Sequence, residues 1–207
     1  MEQNGTKHTI YQAARALFSE RGYYATSVRD IADAVGIKGA SMYAHVSGKE
    51  ELLWDMVMEV ADAFRERVVP ELEDKSSPVD ALRRAIVAHV SVITDNIESA
   101  TIYFHEWKFL SEERRRKVRQ RRDTYEGKFR AVIQRGIRQG AFSVKNAKYA
   151  SIMLLSSLNA IYTWYRPGGG LKAGEVGSMY ADFLIAALVN GTPARKEIEQ
   201  EIVSTKG

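Results

Sequence analysis

The sequence holds no cysteine among its 207 residues, which removes disulfides, thiolate nucleophiles, cysteine-ligated zinc and iron–sulfur clusters in one step and suits a reducing compartment. Proline is scarce, at four residues, and no low-complexity tract occurs, so collagen, stalks and long linkers are excluded. No run is long and apolar enough for a membrane span. The longest uncharged stretch, 149–165, is 17 residues between Lys148 and Arg166 and carries Ser151, Ser156, Ser157, Asn159 and Thr163, whereas a span needs about 18 apolar residues. The polar start from Met1 to Lys7 leads into no apolar export core, so the expected location is the cytoplasm, with no membrane partner. Only four histidines are present, His8, His45, His89 and His105, and His105-Glu106 are neighbours rather than an H-E-x-x-H pair. No nucleophile elbow or phosphate-cradling glycine loop accompanies them, and Gly168 to Gly170 follow Pro167 as a plain turn. No catalytic residue, metal ligand or cofactor is therefore expected, and the chain is not read as an enzyme.

What is present is an ordinary globular balance, 45% apolar and 27% charged, with 30 Lys and Arg against 26 Asp and Glu for a net charge of +4. That balance permits a nucleic-acid partner without demanding one. Apolar residues recur at three and four positions and nowhere alternate at period two, so the fold is expected to be all-α. Ile10, Ala13, Ala14, Leu17 and Phe18 stripe a helix over 6–21 that ends at Gly22. Ser27 and Asp30 open a short helix closed by Gly36, a further short segment follows over 39–45, and Ser47 with Glu50 forms an S-x-x-E start for a long helix reaching Pro70. After Pro78, helices are expected at 78–97, 100–109, 111–139, 143–165 and 173–190, and the stretch 191–207 is expected to fray or form a short surface helix.

Two short helices joined by a tight glycine turn let the second enter a major groove while the first braces it on the backbone. The stretch from Thr26 to Leu52, TSVRDIADAVGIKGASMYAHVSGKEEL, has that arrangement and resembles the DNA-binding domain of TetR-family transcriptional regulators. Ile31, Ala32, Gly36, Ile37, Ser41, Met42, Tyr43, His45, Lys49, Glu50 and Leu52 stand where the family pattern has its core, turn, recognition-helix and fourth-helix residues. The resemblance implies a three-helix helix-turn-helix DNA-binding domain over 1–50, a helical ligand-binding and dimerisation domain over 51–190, and a tail over 191–207. Thr26 and Ser27 offer hydroxyls beside free backbone amides, a pairing suited to a phosphate oxygen. Tyr43, His45 and Lys49 add a phenol, a ring nitrogen and a charge within reach of one strand, and base reading falls to Lys38, Gly39, Ala40 and Ser41, with Ala44 beside them. Each also has an ordinary structural use: Tyr43 can pack beside Trp54, His45 can cap a helix, and Lys49 can pair with a carboxylate. The chain departs from the family at Lys38, where Ser or Thr is usual, at Gly39, where Lys is usual, and at Val46, where Phe is usual. Residues 1–50 carry six basic against five acidic side chains, so local hydrogen bonds must supply most of the grip.

Farther on, the helices at 143–165 and 173–190 are apolar on more than one face, through Leu154, Leu155, Leu158 and Ile161 in the first and Met179, Phe183, Leu184 and Leu188 in the second. One core cannot consume both, and pairing with the same helices of a second copy as a four-helix bundle is the expected outcome. A homodimer would present two reading heads to a double-stranded, palindromic operator. Over 111–140 eleven basic residues stand against four acids, a net of +7, and Arg121 and Arg122 flank an apolar stripe that includes Tyr125 and Phe129. Guanidiniums beside an apolar wall suit an amphipathic anion. The preceding TIYFHEWKFL, Thr101 to Leu110, sets Tyr103 and Trp107 around His105, an aromatic lining suited to a hydrophobic ligand, with Asn159 and Tyr162 projecting from the later helix. This half resembles the TetR subgroup that senses acyl-coenzyme A thioesters of fatty-acid and related catabolism, which implies an acyl-CoA effector that releases a repressor from DNA. A regulator sensing drugs or another hydrophobic metabolite, and a helical interaction protein that does not bind DNA, remain alternatives.

Overall fold

The computed structural model describes residues 2–191. Among them the architecture is entirely helical, and the expected tail falls outside the described residues apart from Gly191. A head is formed by α1 (Glu2–Arg21), α2 (Val28–Val35) and the four-residue α3 (Gly39–Met42). A long α4 (Lys49–Arg67) then runs from the head into the body, followed by α5 (Val69–Glu73), α6 (Pro78–Asp95) and α7 (Ile97–Thr101). The body is completed by α8 (Glu112–Arg138), α9 (Ala147–Asn159), the single turn α10 (Ile161–Trp164) and α11 (Ala173–Asn190).

Local chemistry accounts for most boundaries. Ser27 accepts from the Asp30 amide at 3.1 Å while Asp30 accepts from the Ser27 amide at 2.7 Å, closing the expected capping box of α2. Gly36 ends that helix at φ 77°, a left-handed conformation in which a Cβ would be strained, and the Ile37 amide reaches back to the Ala32 carbonyl at 3.0 Å.

The start of α4 differs from the expected Ser47–Glu50 pairing. Ser47 pairs instead with Glu51, whose carboxylate takes both its hydroxyl and, at 2.5 Å, its amide, which leaves Glu50 free to reach the body. The helix expected to reach Pro70 stops at Arg67, and Pro70 sits in the first turn of α5, where it has no amide to lose.

Two further boundaries move for the same kind of reason. Asn96 accepts from the Ser99 amide and starts α7, and Asn146 accepts from the amides of Lys148 and Tyr149, so α9 begins at Ala147 rather than at 143. The expected helix over 100–109 is not continuous: after α7 the backbone widens into a π turn, Ile102–Glu106, and tightens into a 3₁₀ turn, Trp107–Phe109. The wider turn brings Ile102, Tyr103 and Glu106 all inward.

Phe18, Ile31, Met42, Leu52, Leu53 and Met56 bury completely in the head and the first half of α4, and Leu82, Ile86, Ile93, Ile102 and Phe129 do so in the body, so one apolar core runs through the molecule. Helix α6 is its axis. It lies so close to α11 that a Cβ on Gly177 would meet the Val87 backbone at 3.4 Å.

Candidate functional site: an outward turn and two inner cavities

Met42 is fully buried and pins α3 to the head, which turns Lys38, Ala40, Ser41, Tyr43 and Ala44 outward on one face. Tyr43 stands well out from the head, 58% exposed. Gly39 and His45 are half-buried at the edges of this face, and Val46 is buried beneath it, so that departure from the family pattern lies in the core.

Three of the expected phosphate contacts are used internally instead. Thr26 is 1% exposed and its hydroxyl donates to the Gly22 carbonyl at 2.9 Å, so it faces the head's own backbone and not solvent. The Ser27 hydroxyl is exposed but engaged with Asp30, leaving the first amides of α2 as the free donors there. Lys49 Nζ donates to the Tyr23 and Thr26 carbonyls at 2.9 and 2.8 Å and lies 4.0 Å above the Tyr23 ring, a strut closing the turn between α1 and α2.

The head is fastened to the body at two points that sequence reasoning missed. Glu106, 5% exposed on the π turn, accepts from the Tyr23 amide at 2.8 Å and from His105 Nδ1 at 2.8 Å. Glu50 accepts from the Ser111 amide at 3.0 Å, and Arg114 Nη1 donates to the Glu50 carbonyl at 3.0 Å while lying over Trp54. The Ser111 amide and the Arg114 charge hold the Glu50 carboxyl below the usual carboxylate range. No local pattern signals these ties, because the partners lie 83 and 61 residues apart.

Two of the body's cavities lie on either side of an aromatic partition made by Phe64, Tyr103 and Tyr125, and a third hollow, about 610 Å³, lies between α9 and α11. The outer one, about 400 Å³, adds Ala61 and Val69 as apolar wall and has Arg65, Arg121 and Lys128 among its lining residues. Each of those cations has a carboxylate partner: Arg121 and Arg65 share Asp62, at 2.6 and 3.4 Å, and Lys128 meets Glu73 at 2.6 Å. The inner cavity, about 230 Å³, is bordered by the buried His89, by Phe104, Arg122, Glu126 and Asn159, and by the exposed Asp123, Ile152 and Ser156, so it too opens to the surface.

Of the expected ligand residues, Tyr103, Tyr125, Arg121, Arg122 and Asn159 border the cavities, although Arg121 and Arg122 lie on different ones. The Arg122 guanidinium is sandwiched between the rings of Tyr103 and Trp107 at 4.6 and 4.5 Å and donates to the Tyr103 carbonyl at 2.6 Å, which braces the π turn. The other four do not reach the cavities. His105 points outward, its side chain 59% exposed beside Glu106; Trp107 packs on Arg122; Phe129 is buried in the core against Tyr125; and Tyr162 stacks behind Phe104 at 5.4 Å. Phe64 and His89 were missed, being apolar-stripe positions on α4 and α6 with nothing in their spacing to set them apart.

Residues 10–56 match the family of bacterial regulatory proteins, tetR family, and residues 75–188 match the tetracyclin repressor-like C-terminal domain. The HTH-type transcriptional repressor KstR2 of Mycobacterium tuberculosis is 28% identical over 187 residues, 89% of this chain and 94% of that protein. The crystal structure of the TetR-family regulator PfmR from Thermus thermophilus is similar at a TM-score of 0.78 and 35% identity, over 86% of this chain and 97% of that one. The structure of AibR in complex with isovaleryl coenzyme A and operator DNA is similar at a TM-score of 0.76 and 26% identity, over 90% of this chain and all of the other.

Proposed function

Because this chain belongs to the TetR family of bacterial regulatory proteins, which regulate transcription and are not enzymes, we propose that it is a repressor that grips a palindromic operator as a homodimer and releases it on binding an acyl-CoA. In this reading residues 1–50 form the DNA-binding domain and 51–190 the ligand-binding and dimerisation domain, acting in the cytoplasm. Lys38, Gly39, Ala40 and Ser41 face base edges, while Tyr43, His45 and the free amides after Ser27 hold phosphates.

The observation that carries the effector class is the outer cavity, an apolar chamber with Arg65, Arg121 and Lys128 around it. An acyl group fits the wall, and coenzyme phosphates fit the cations. Exposed ion pairs contribute about 0–1 kcal/mol each, so a phosphate can displace Asp62 or Glu73 at little cost. The similarity to AibR, whose structure holds isovaleryl coenzyme A with operator DNA, supports the same class. A second reading, a sensor of drugs or another uncharged hydrophobic metabolite, is favoured by the fact that all three cations already have carboxylate partners.

Tyr103 is the hinge of the mechanism. It borders both cavities, carries Arg122 on its carbonyl, and stands three residues before Glu106, the head's anchor. A ligand that displaces Tyr103 moves the π turn and with it the Tyr23 loop, favouring a conformation in which the two heads no longer fit their half-sites. The test is retardation of the protein's own upstream DNA, salt-sensitive and specific, together with calorimetry against short, long and aromatic acyl-CoAs. Specific retardation relieved by an acyl-CoA is the expected result. No specific retardation would end the regulator reading of the operator, and retardation without acyl-CoA binding would favour the second sensor class.

A further inference from the structure

Phe109, at the end of the 3₁₀ turn, carries ring contacts from the body to the head: it stacks on Tyr23 at 5.9 Å and lies 6.1 Å from the ring of Tyr24. Both sides of this contact are fixed in place. On the body, Trp107 packs on the Arg122 guanidinium at 4.5 Å, the Lys108 carbonyl accepts from Arg115 Nη1 at 3.0 Å and Leu110 is buried, so the turn that bears Phe109 does not shift alone. On the head, Tyr23 meets Phe18 edge-on at 5.2 Å and lies under Lys49 Nζ at 4.0 Å. Core packing does not account for the contact. Tyr24 is 85% exposed and Phe109 39%, so little apolar area is hidden between them and folding gains little from it.

We propose that Phe109 is a positioning residue for operator binding: seated against Tyr23 and Tyr24, it sets the angle at which the body presents the head, and with it the distance between the two reading heads of a dimer. Phe109 itself touches no DNA in this assignment, which rests on the two-headed operator reading argued above.

Three observations select positioning over stability. The Glu106 and Glu50 ties hold the head through single atoms, which fix a distance but tolerate tilt, whereas a ring lying at 21° to Tyr23 resists tilt, because turning either ring breaks the stacked contact. The contact also falls where movement carries furthest into the head. Tyr23 and Tyr24 stand just before Ser27, the cap of α2, and Lys49 Nζ holds the Tyr23 and Thr26 carbonyls together, so the loop and the start of α2 move as one. Finally, ring pairs that are open to solvent contribute modestly, so this restraint gives way before the buried core does and can be altered without unfolding the head.

The experiment recovers an operator from random-sequence duplex DNA with the full-length wild-type protein. Retardation of that operator is then compared with retardation of the same duplex with one arm scrambled, and of duplexes with the arms moved apart or together by about two base pairs, for wild type, Phe109→Ala, Phe109→Tyr and Tyr24→Ala. Wild type is expected to bind the whole operator about tenfold or more tighter than the one-armed duplex. Phe109→Ala and Tyr24→Ala should lose about three- to tenfold on the whole operator, the worth of one ring pair, keep their affinity for the one-armed duplex within about twofold, and discriminate less between arm spacings. Phe109→Tyr, which keeps the ring, should match wild type. Undiminished binding of the whole operator by both alanine variants overturns the proposal and leaves the two-headed reading standing. Equal losses on the whole and one-armed duplexes also overturn it, because the rings then serve the DNA contact or the fold and not the angle. A wild-type protein that gains nothing from the second arm removes the two-headed reading and this proposal with it. Tyr24→Ala alters a side chain that lies in solvent, so the test stands even where Phe109→Ala does not fold.

Discussion

Thr26 and Tyr43 both offer a hydroxyl to an expected DNA contact, and their surroundings assign them opposite roles. Thr26 is sealed in the head with its hydroxyl on the Gly22 carbonyl, and Tyr43 stands in solvent. Thr26→Val is therefore expected to cost about 1–2 kcal/mol of stability, the price of a lost buried hydrogen bond, read as a lower urea midpoint. Tyr43→Phe should leave that midpoint unchanged and weaken operator binding about five- to tenfold, the worth of one phosphate hydrogen bond. His89 supplies a pH prediction. Its folded pKa lies near 3, below the unfolded value of 6.5, so stability is complete above the unfolded pKa and falls as pH drops from there towards 3. The polar groups around the ring, Tyr125, Tyr103, Asp123, Glu126, Arg122 and Asn159, lie on α8, the π turn and α9, and Asn159 opposes the burial that lowers the His89 pKa. Urea melts at pH 7 and 5 should show His89→Phe losing less than wild type, by up to about 1.4 kcal/mol per pH unit. Residue types and helix stripes put Tyr43 on an open face, and it is exposed there. They could not separate Arg121 from Arg122, because neighbours on a helix point about 100° apart, and here that angle sends one to the outer cavity and the other beneath the π turn.

Among the elements, those written in periodic apolar stripes and caps were legible: α1, α2, α6, α8 and α11 fall within a few residues of expectation. The failures share a cause. The π turn at Ile102–Glu106 changes which carbonyl each amide meets without changing composition, and the shift from Glu50 to Glu51 at the α4 start depends on where Ser111 and Arg114 sit in space. Gly136 offers a test of element packing. A Cβ there would collide with the buried ring of Phe142, so Gly136→Ala should cost about 1–3 kcal/mol of stability, and adding Phe142→Leu should recover part of the loss in thermal melts. The π turn offers a functional test. If Glu106 transmits the state of the cavities to the Tyr23 loop, Glu106→Ala should leave ligand affinity within about twofold and shrink the ligand's effect on DNA retardation, since coupling and binding are separate quantities.

At the scale of the whole molecule, the face presented by α9 and α11 is apolar and open: Met153 is 71% exposed, Phe183 75%, and Tyr149, Ile152 and Met179 extend the patch. In the proposed homodimer this exposed apolar surface is the face that meets the second copy. Phe183→Arg with Met153→Asp is expected to yield monomers in sedimentation at micromolar concentration, with the fold intact by circular dichroism and specific DNA retardation lost. The sequence showed that these helices had more apolar surface than one core could use, though not which side chains would be left outside, because that depends on how α6 takes up α11 around Gly177.

The outward turn of the head is built from Gly39, Ala40 and Ser41, with Lys38 as the one long side chain at the end proposed to face the bases. Side chains that short touch few base edges, so discrimination shifts to the geometry of the double helix itself, its groove width and its willingness to bend between the two points of contact. Promoter sites for this protein should then share a fixed distance between loosely conserved arms, and changing the number of base pairs between the arms should weaken binding more than changing the letters within them.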